Sequence, residues 1–222
     1  MKRAVALLSG GVDSAVAAAL ARSEGYELIC LTLDYGQKHR REVEAARNLS
    51  RALEALEHMV LSIDLGRIAS SALTDPGREM PDGLEEKIPS TYVPARNMIL
   101  LSIAMALAES RDAEAVVIGA TAVDYAGYPD CRSEFLAVFE RAGALGTRRG
   151  AEGAPVRILA PLVNMTKAEI IRKGAEMGVP FEHTWSCYRG GERACGRCAS
   201  CIYRLKGFRE AGLEDPLEYL SA

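Results

Sequence analysis

Four cysteines near the C-terminus have a spacing that suits metal binding. Cys187, Cys195, Cys198 and Cys201 form a C-x₇-C-x₂-C-x₂-C pattern. Four thiolates match a tetrahedral zinc site with Zn–S bonds of about 2.3 Å, and two-residue gaps let one turn of chain present adjacent ligands. An iron–sulfur cluster, a redox dithiol and a disulfide pair are alternatives, although the Cys-Pro that closes a ferredoxin ligand run is absent. Because four sulfur ligands leave no open coordination position, the pattern predicts one structural zinc ion per chain.

A glycine-bearing turn near the N-terminus is suited to phosphate binding. The hexapeptide Ser9-Gly10-Gly11-Val12-Asp13-Ser14 lies between a predicted strand and a predicted helix. Glycines allow a sharp bend, and the free amides at the start of a helix attract an anion. The glycine spacing matches neither a Walker A loop nor a dinucleotide fingerprint. A strand–helix turn in which Asp13 or Ser14 serves as the N-cap is the alternative.

The predicted nucleotide contacts extend on both sides of this turn and into a second loop. They run from the end of the first strand through the first turn of the helix: Leu8, Ser9, Gly10, Gly11, Val12, Asp13, Ser14, Ala15, Val16, Ala17 and Ala18. The loop after the second predicted strand adds Asp34, Tyr35 and Gln37, which we expect to meet the ribose or the base. The basic residues that follow are Lys38, Arg40 and Arg41, which either attract phosphate or line a solvated helix face.

The elements that must position these loops alternate regularly along the chain. Short apolar runs predict strands over Arg3–Leu8, Glu27–Leu33, His58–Ile63, Ala115–Gly119 and Val156–Pro161. Helical periodicity predicts helices over Ser14–Glu24, Arg40–Leu56, Ala95–Glu109, Ser133–Gly143 and Lys167–Met177, the last preceded by a capping box from Thr166 to Glu169. This alternation predicts an α/β fold with a doubly wound, mostly parallel sheet covered by helices on both faces, and ligands beyond the carboxyl ends of the strands.

The bulk composition describes an ordinary globular chain. Its 222 residues are 49% hydrophobic and 26% charged, with a net charge of −3. The acidic balance argues against a dedicated nucleic-acid binder. The apolar run at the N-terminus is too short for a signal peptide, and no stretch is long enough to span a membrane, so we expect a cytoplasmic protein. We predict a catalytic domain over 1–182 and a zinc-binding segment with a C-terminal helix over 183–222, while Thr74–Val93 is either a mobile lid or a surface loop.

Read together, these motifs resemble a known enzyme family. The hexapeptide at Ser9 resembles the S-G-G-x-D-S signature of the PP-loop ATP pyrophosphatases, which have an adenine nucleotide α-hydrolase-like fold. The chain from about Val5 to Phe208 resembles the 7-cyano-7-deazaguanine synthase (QueC) family through a larger set of segments: Leu8–Ser14, Asp34–Gln37, Tyr92–Asn97, Val123–Arg132, Pro161-Leu162, Thr166–Glu169 and Thr184–Tyr188 leading into the cysteines. Ser133 stands where we would expect proline.

The resemblance implies an ATP-dependent C–N ligase. It would convert 7-carboxy-7-deazaguanine and ammonia to 7-cyano-7-deazaguanine, a queuosine precursor, with Mg²⁺ bound to ATP and in part held by Asp13. It also implies a homodimer. For the deazaguanine we expect aromatic stacking, carboxylate acceptors and a cation for the substrate carboxylate. The candidate substrate contacts are Tyr92, Arg96, Asn97, Asp124, Tyr125, Tyr128, Asp130 and Arg132.

Less specific interpretations remain for these motifs. The alternative interpretation is that Arg96-Asn97 caps a helix and that Asp130 starts one. At the level of the whole chain, one alternative is a PP-loop enzyme that modifies tRNA, which would bind tRNA with a steep salt dependence. The other is a zinc-binding module without catalysis, which would leave the turn at Ser9–Ser14 unexplained.

Overall fold

The computed structural model describes residues 2–85, 88–121 and 127–220. Within them, five strands form one parallel sheet in the order β3-β2-β1-β4-β5. The strands are β1 (Lys2–Leu7), β2 (Tyr26–Asp34), β3 (Glu57–Ser62), β4 (Ala115–Val117) and β5 (Arg157–Leu159). The chain runs outward from β1 in one direction through β2 and β3, and in the other through β4 and β5. The strand order therefore reverses between β1 and β4, where ligands of such sheets bind.

Helices cover both faces of the sheet, which confirms the predicted fold class. The helices are α1 (Val12–Ser23), α2 (Arg41–Ala52), α3 (Arg96–Ser110), α4 (Ser133–Gly146), α5 (Arg148–Ala151), α6 (Lys167–Glu176) and α7 (Ala199–Ala211). Alternate residues of β1 are buried on opposite faces: Ala4 and Ala6 pack with α1, α2, α6 and α7, whereas Val5 and Leu7 pack with α3 and α4. Burial on both faces explains why the strands read as continuous apolar runs.

Most differences from the predicted elements lie at their ends. The predicted helix over Arg40–Leu56 ends at Ala52, because Glu54 takes a left-handed φ of 50° and Leu56 begins the approach to β3. The Gly- and Arg-rich stretch after α4 contains the short helix α5, whose N-cap Thr147 accepts a hydrogen bond from the Gly150 amide. The capping box at the start of α6 is confirmed, since Thr166 and Glu169 bond each other's amides.

The C-terminal helix α7 packs directly on α6, one of the helices that cover the sheet. Gly207 of α7 lies so close to α6 that a Cβ there would sit 2.8 Å from Cδ1 of Ile171. The side chain of Arg204 is buried and forms an ion pair with Asp215 at 2.8 Å, while also donating to Thr184. The division into segments 1–182 and 183–222 stays a prediction. Across the described residues, no helix combines the length and apolar character that crossing a bilayer requires.

Candidate functional site

The turn after β1 is tightly packed from below. Gly10 has a left-handed φ of +89°, and a Cβ at this position would overlap the carbonyl oxygen of Glu42. From the other side, the amide of Trp185 donates to the carbonyl oxygen of Gly10 at 2.8 Å. Gly119, just beyond β4, lies so near α1 that its Cβ would sit 2.8 Å from the amide nitrogen of Ser14. Glycine is therefore required at both positions, which follow the two strands that flank the reversal of strand order.

Hydroxyl groups hold the turn in shape and leave helix amides open. Ser9 Oγ donates to Ser14 Oγ at 3.0 Å, and Ser14 Oγ lies 3.1 Å from the carbonyl oxygen of Gly11. Gly11, and not Asp13 or Ser14, occupies the N-cap of α1, where no side chain caps the helix. The first amides of α1 thus lack a side-chain acceptor, and the helix dipole adds a partial positive charge. The turn is suited to bind the oxygens of a phosphate.

Lys167 is a site residue that the sequence analysis missed. Its Nζ lies 2.6 and 2.5 Å from the two carboxylate oxygens of Asp13, although the two residues are 154 positions apart. Both side chains line the same cavity as Ser9 and Ser14. The resemblance already included Lys167 within the capping-box motif, but periodicity assigned it only to a helix start. The pair places one cation and one carboxylate beside the turn formed by Ser9–Ser14, called the phosphate turn below.

A cavity of about 350 Å³ extends from this turn across the carboxyl ends of the strands. Among the residues that line it, Arg96 lies 5.8 Å from the ring centroids of both Tyr35 and Tyr128. Ala95, in a left-handed conformation with φ 55°, precedes Arg96 at the start of α3. Burial acts to lower the pKa of Arg96, but the phenols of Tyr35 and Tyr128 outweigh it and raise the pKa overall. A permanent cation beside aromatic rings suits a planar, anionic ligand.

The predicted substrate residues occupy different positions around this cavity. Arg96, Asn97 and Tyr128 line it, and Tyr92 packs behind Tyr128 with ring centroids 6.1 Å apart. Asp130 lies behind the wall, where its carboxylate accepts the amide of Asn97 at 2.8 Å and so caps α3. Arg132 also lies outside the lining. Asp124 and Tyr125 fall outside the described residues.

The predicted nucleotide residues divide in the same way. Ser9, Gly11, Val12, Asp13 and Ser14 line the cavity, as do Tyr35 and Gln37 from the second loop. Gly10 is buried against Glu42 and lies outside the lining, and the rest of the predicted set is buried in the hydrophobic core: Leu8, Ala15, Val16, Ala17 and Ala18. Asp34 pairs with Arg40 at 3.4 Å instead of lining the cavity. All of these assignments as nucleotide contacts stay predictions.

The four cysteines converge into a buried cluster next to the turn. The sulfur atoms of Cys187, Cys195, Cys198 and Cys201 all lie within 4.8 Å of one another. Backbone amides point at these sulfurs: that of Cys195 lies 3.3 Å from Cys187 Sγ, and that of Cys198 lies 3.3 Å from Cys195 Sγ. Hydrogen bonds from Cys198 and Cys201 hold the pKa of Cys187 well below its usual range. Four soft ligands, one of them already favoured as thiolate, fit a tetrahedral metal ion such as zinc.

Trp185 joins this cluster to the phosphate turn. Its indole Nε1 donates to the carbonyl oxygen of Cys187 at 2.9 Å, while its amide donates to Gly10. The guanidinium of Arg41 stacks on the indole at 4.2 Å and donates to the carbonyl oxygens of Gly191 and Glu192. The cysteine cluster therefore supports the phosphate turn through Trp185, which lies two positions before Cys187.

Comparison with known proteins agrees with this architecture. The sequence model of the family described as queuosine biosynthesis protein QueC matches residues 3–212. A 7-cyano-7-deazaguanine synthase of Acetivibrio thermocellus is 52% identical over 222 residues, covering 99% of each chain. A 7-cyano-7-deazaguanine synthase of Stutzerimonas stutzeri is 51% identical over 220 residues, covering 98% of each. The solved NMN synthetase of Francisella tularensis has a TM-score of 0.52 at 17% identity, covering 100% of this chain and 89% of that one, which shows a shared fold.

Proposed function

This chain belongs to the QueC family of queuosine biosynthesis proteins, and we propose that it converts 7-carboxy-7-deazaguanine, ammonia and ATP to 7-cyano-7-deazaguanine. It is thus an ATP-dependent ligase that forms a C–N bond. The observation that carries this proposal is one cavity lined both by the phosphate turn and by Arg96 with Tyr35 and Tyr128. A nucleotide tail and an anionic heterocycle have complementary binding groups within one enclosure.

The residues that line the cavity suggest how the reactants are oriented. The amides of α1 and Lys167 bind the phosphates, and Arg96 binds the carboxylate of the deazaguanine. The carboxylate oxygen attacks the α-phosphorus, pyrophosphate leaves, and an acyl-adenylate forms. Ammonia attacks the acyl carbon and displaces AMP to give an amide. The amide oxygen is adenylated by a second ATP, and loss of AMP gives the nitrile, so each turnover consumes two ATP.

The metals have separate places in this proposal. Mg²⁺ bound to ATP would supply positive charge that stabilises the departing pyrophosphate. Asp13 is the carboxylate beside the phosphate turn that would help to hold it. The four cysteines would hold a structural zinc ion, which has no open position for substrate. Their role is to fix the segment that carries Trp185 against Gly10.

Three further features belong to the proposal. The enzyme acts in the cytoplasm, where reducing conditions keep the cysteines available to metal. It acts on small molecules and requires no nucleic acid. It forms a homodimer, as the family resemblance implies.

The proposed reaction is tested by incubating the protein with ATP, Mg²⁺, ammonium and 7-carboxy-7-deazaguanine. We expect the nitrile by mass spectrometry, together with AMP and pyrophosphate. An ATP analogue with a methylene bridge between the α- and β-phosphorus should give no product, since it cannot release pyrophosphate. Formation of ADP and phosphate would contradict the adenylation steps, and no nitrile from zinc-replete protein would contradict the assignment.

Replacing Lys167 by methionine should weaken ATP binding. The variant keeps most of the apolar stem but loses the ammonium group beside the phosphate turn. Because a hydrogen bond to a charged group contributes about 1.5–3 kcal/mol, we expect KM for ATP to rise about 10- to 100-fold. Lys173→Met on the same helix is the control, since Lys173 pairs with Glu176 on the surface. Equal KM values for the two variants would exclude a phosphate contact by Lys167.

A further inference from the structure

Glu42 is a carboxylate of the cavity that the proposed reactant contacts leave without a role. It lies in the first turn of α2 and lines the same cavity as the phosphate turn and Tyr188. Its backbone is fixed, because its carbonyl oxygen lies against Gly10. The residue is only partly buried, and its cavity-lining position places the exposed part inside the enclosure.

The other cavity carboxylates of the described residues are already engaged. Asp13 is held by Lys167, and Glu85 accepts hydrogen bonds from the amide and hydroxyl of Ser90, each at 3.0 Å. Among the described residues, the carboxyl group of Glu42 interacts with its neighbours through burial and through the charges of Arg96 and Cys187, and no hydrogen bond engages it. Its oxygens are thus available to a bound ligand.

The proposed reaction has a proton balance that requires a base inside the cavity. The nitrogen arrives as ammonium with four N–H bonds and leaves as a nitrile with none. Ammonium loses one proton to become a nucleophile, and the nitrogen loses a second as the C–O bond to AMP breaks and the amide forms. The adenylated amide then loses two more protons as the remaining C–N π bonds form and the second AMP departs.

Resting on the function proposed above, we propose that Glu42 is the general base that removes these protons from the substrate nitrogen. Its carboxylate accepts a proton from the nitrogen, whose freed electron pair forms the bond to carbon while the electron pair of the C–O bond leaves with AMP. Glu42 then returns the proton to cavity water and is ready for the next transfer. Arg96 and Glu42 therefore have separate roles: Arg96 binds the substrate carboxylate, and Glu42 removes protons from the nitrogen.

The surroundings of Glu42 favour a base that works near neutral pH. Burial raises the pKa of Glu42 to about 7, the charge of Arg96 acts to lower it, and Cys187 acts to raise it. Burial raises the pKa of Tyr35 and of Tyr188, and the nearby charge of Glu42 adds to the rise in both. A general base is most effective when its pKa lies near the working pH.

The test separates adenylation from nitrogen chemistry in Glu42→Gln, which keeps the shape of the side chain but cannot accept a proton. Without ammonium, exchange of labelled pyrophosphate into ATP that depends on 7-carboxy-7-deazaguanine reports the first adenylation. We expect this exchange to stay within about threefold of wild type. Nitrile formation should fall about 10²-fold or more, the usual contribution of a general base.

Two further variants make the result specific. Glu44→Gln removes an exposed carboxylate from the same helix and should leave both reactions unchanged. Glu42→Asp keeps a base that is one methylene shorter and should recover part of the lost nitrile formation. Nitrile formation by Glu42→Gln within threefold of wild type, or an equal loss of exchange and nitrile formation, would overturn the role of Glu42. Absence of exchange in the wild type would instead overturn the proposed function itself.

Stability against pH gives a readout that is independent of activity. Because the folded protein raises the pKa of Glu42 from 4.5 to about 7, ionising it costs stability as pH rises through that window. Glu42→Gln removes this cost, so its melting temperature should exceed that of wild type at pH 8 and match it below pH 4.5. A variant that melts lower than wild type at pH 8 would show that the carboxylate is engaged in a structural contact instead.

Discussion

Gly10→Ala is expected to abolish ATP turnover and to destabilise the fold by about 2–5 kcal/mol. Two effects combine at this position. A left-handed φ of +89° costs a residue with a Cβ about 1–2 kcal/mol. The added methyl group also overlaps the carbonyl oxygen of Glu42 and would lie 3.1 Å from the Cβ of Ala45, and overpacking of this kind costs about 1–3 kcal/mol.

The loss of activity should exceed what the loss of stability explains. The clash is with backbone of α2, which cannot rotate away as a side chain could. Either the phosphate turn or the start of α2 must shift to relieve the clash. A displaced turn no longer aligns the amides of α1 with the phosphates, so binding of ATP should weaken even in molecules that stay folded.

Gly25 provides a closely matched control for this prediction. It has the same φ of +89°, but a Cβ there would meet no atom within 4 Å. Gly25→Ala should therefore carry only the conformational cost and keep normal turnover. The measurements are thermal unfolding and the rate of pyrophosphate release for both variants. Similar behaviour of the two would show that backbone strain, and not the close approach of α2, accounts for the requirement for glycine at position 10.

Cys198→Ser should release the bound metal and inactivate the enzyme without touching the reactants. Removal of one sulfur from a buried set of four leaves an incomplete tetrahedral site, and in small domains the binding of a structural zinc ion supplies about 10–16 kcal/mol of folding free energy. We expect metal content to fall from about one ion per chain to near zero. The melting temperature should fall as well, because the metal ion would join Cys187, Cys195, Cys198 and Cys201 and so fasten the turns between them.

Because Trp185 links the cysteine cluster to the phosphate turn, Cys198→Ser should also weaken ATP binding. As the cysteine cluster loosens, the hydrogen bond from the Trp185 amide to Gly10 should be lost, and ATP affinity should fall with metal content. Glu192→Gln, an exposed change in the same segment, is the control and should retain metal and activity. Metal analysis by mass spectrometry and ATP binding by calorimetry check the two parts. A metal-free Cys198→Ser enzyme with normal ATP affinity would show that the cluster does not support the phosphate turn.

Local patterns in the sequence were sufficient for the fold class and for two of the chemical features. The apolar runs of β1 and β2 and the periodicity of α2 and α3 predicted a doubly wound α/β sheet, because a buried parallel strand and an amphipathic helix each leave a short-range signature. The spacing of Gly10 and Gly11 between a strand and a helix, and of the cysteines from 187 to 201, likewise expresses local geometry. The capping box at Thr166 belongs to the same class.

Only the tertiary structure decided which distant residues share the cavity. Lys167 meets Asp13 across 154 positions, Trp185 bonds Gly10, and Glu42 faces Arg96 from a different helix. Asp130 was a candidate substrate contact by its sequence motif, yet the structure directs its carboxylate to the start of α3. The physical reason is that the short-range forces that form a helix or a turn act over a few residues, whereas contacts between them depend on how the sheet order brings separate strand ends to one edge.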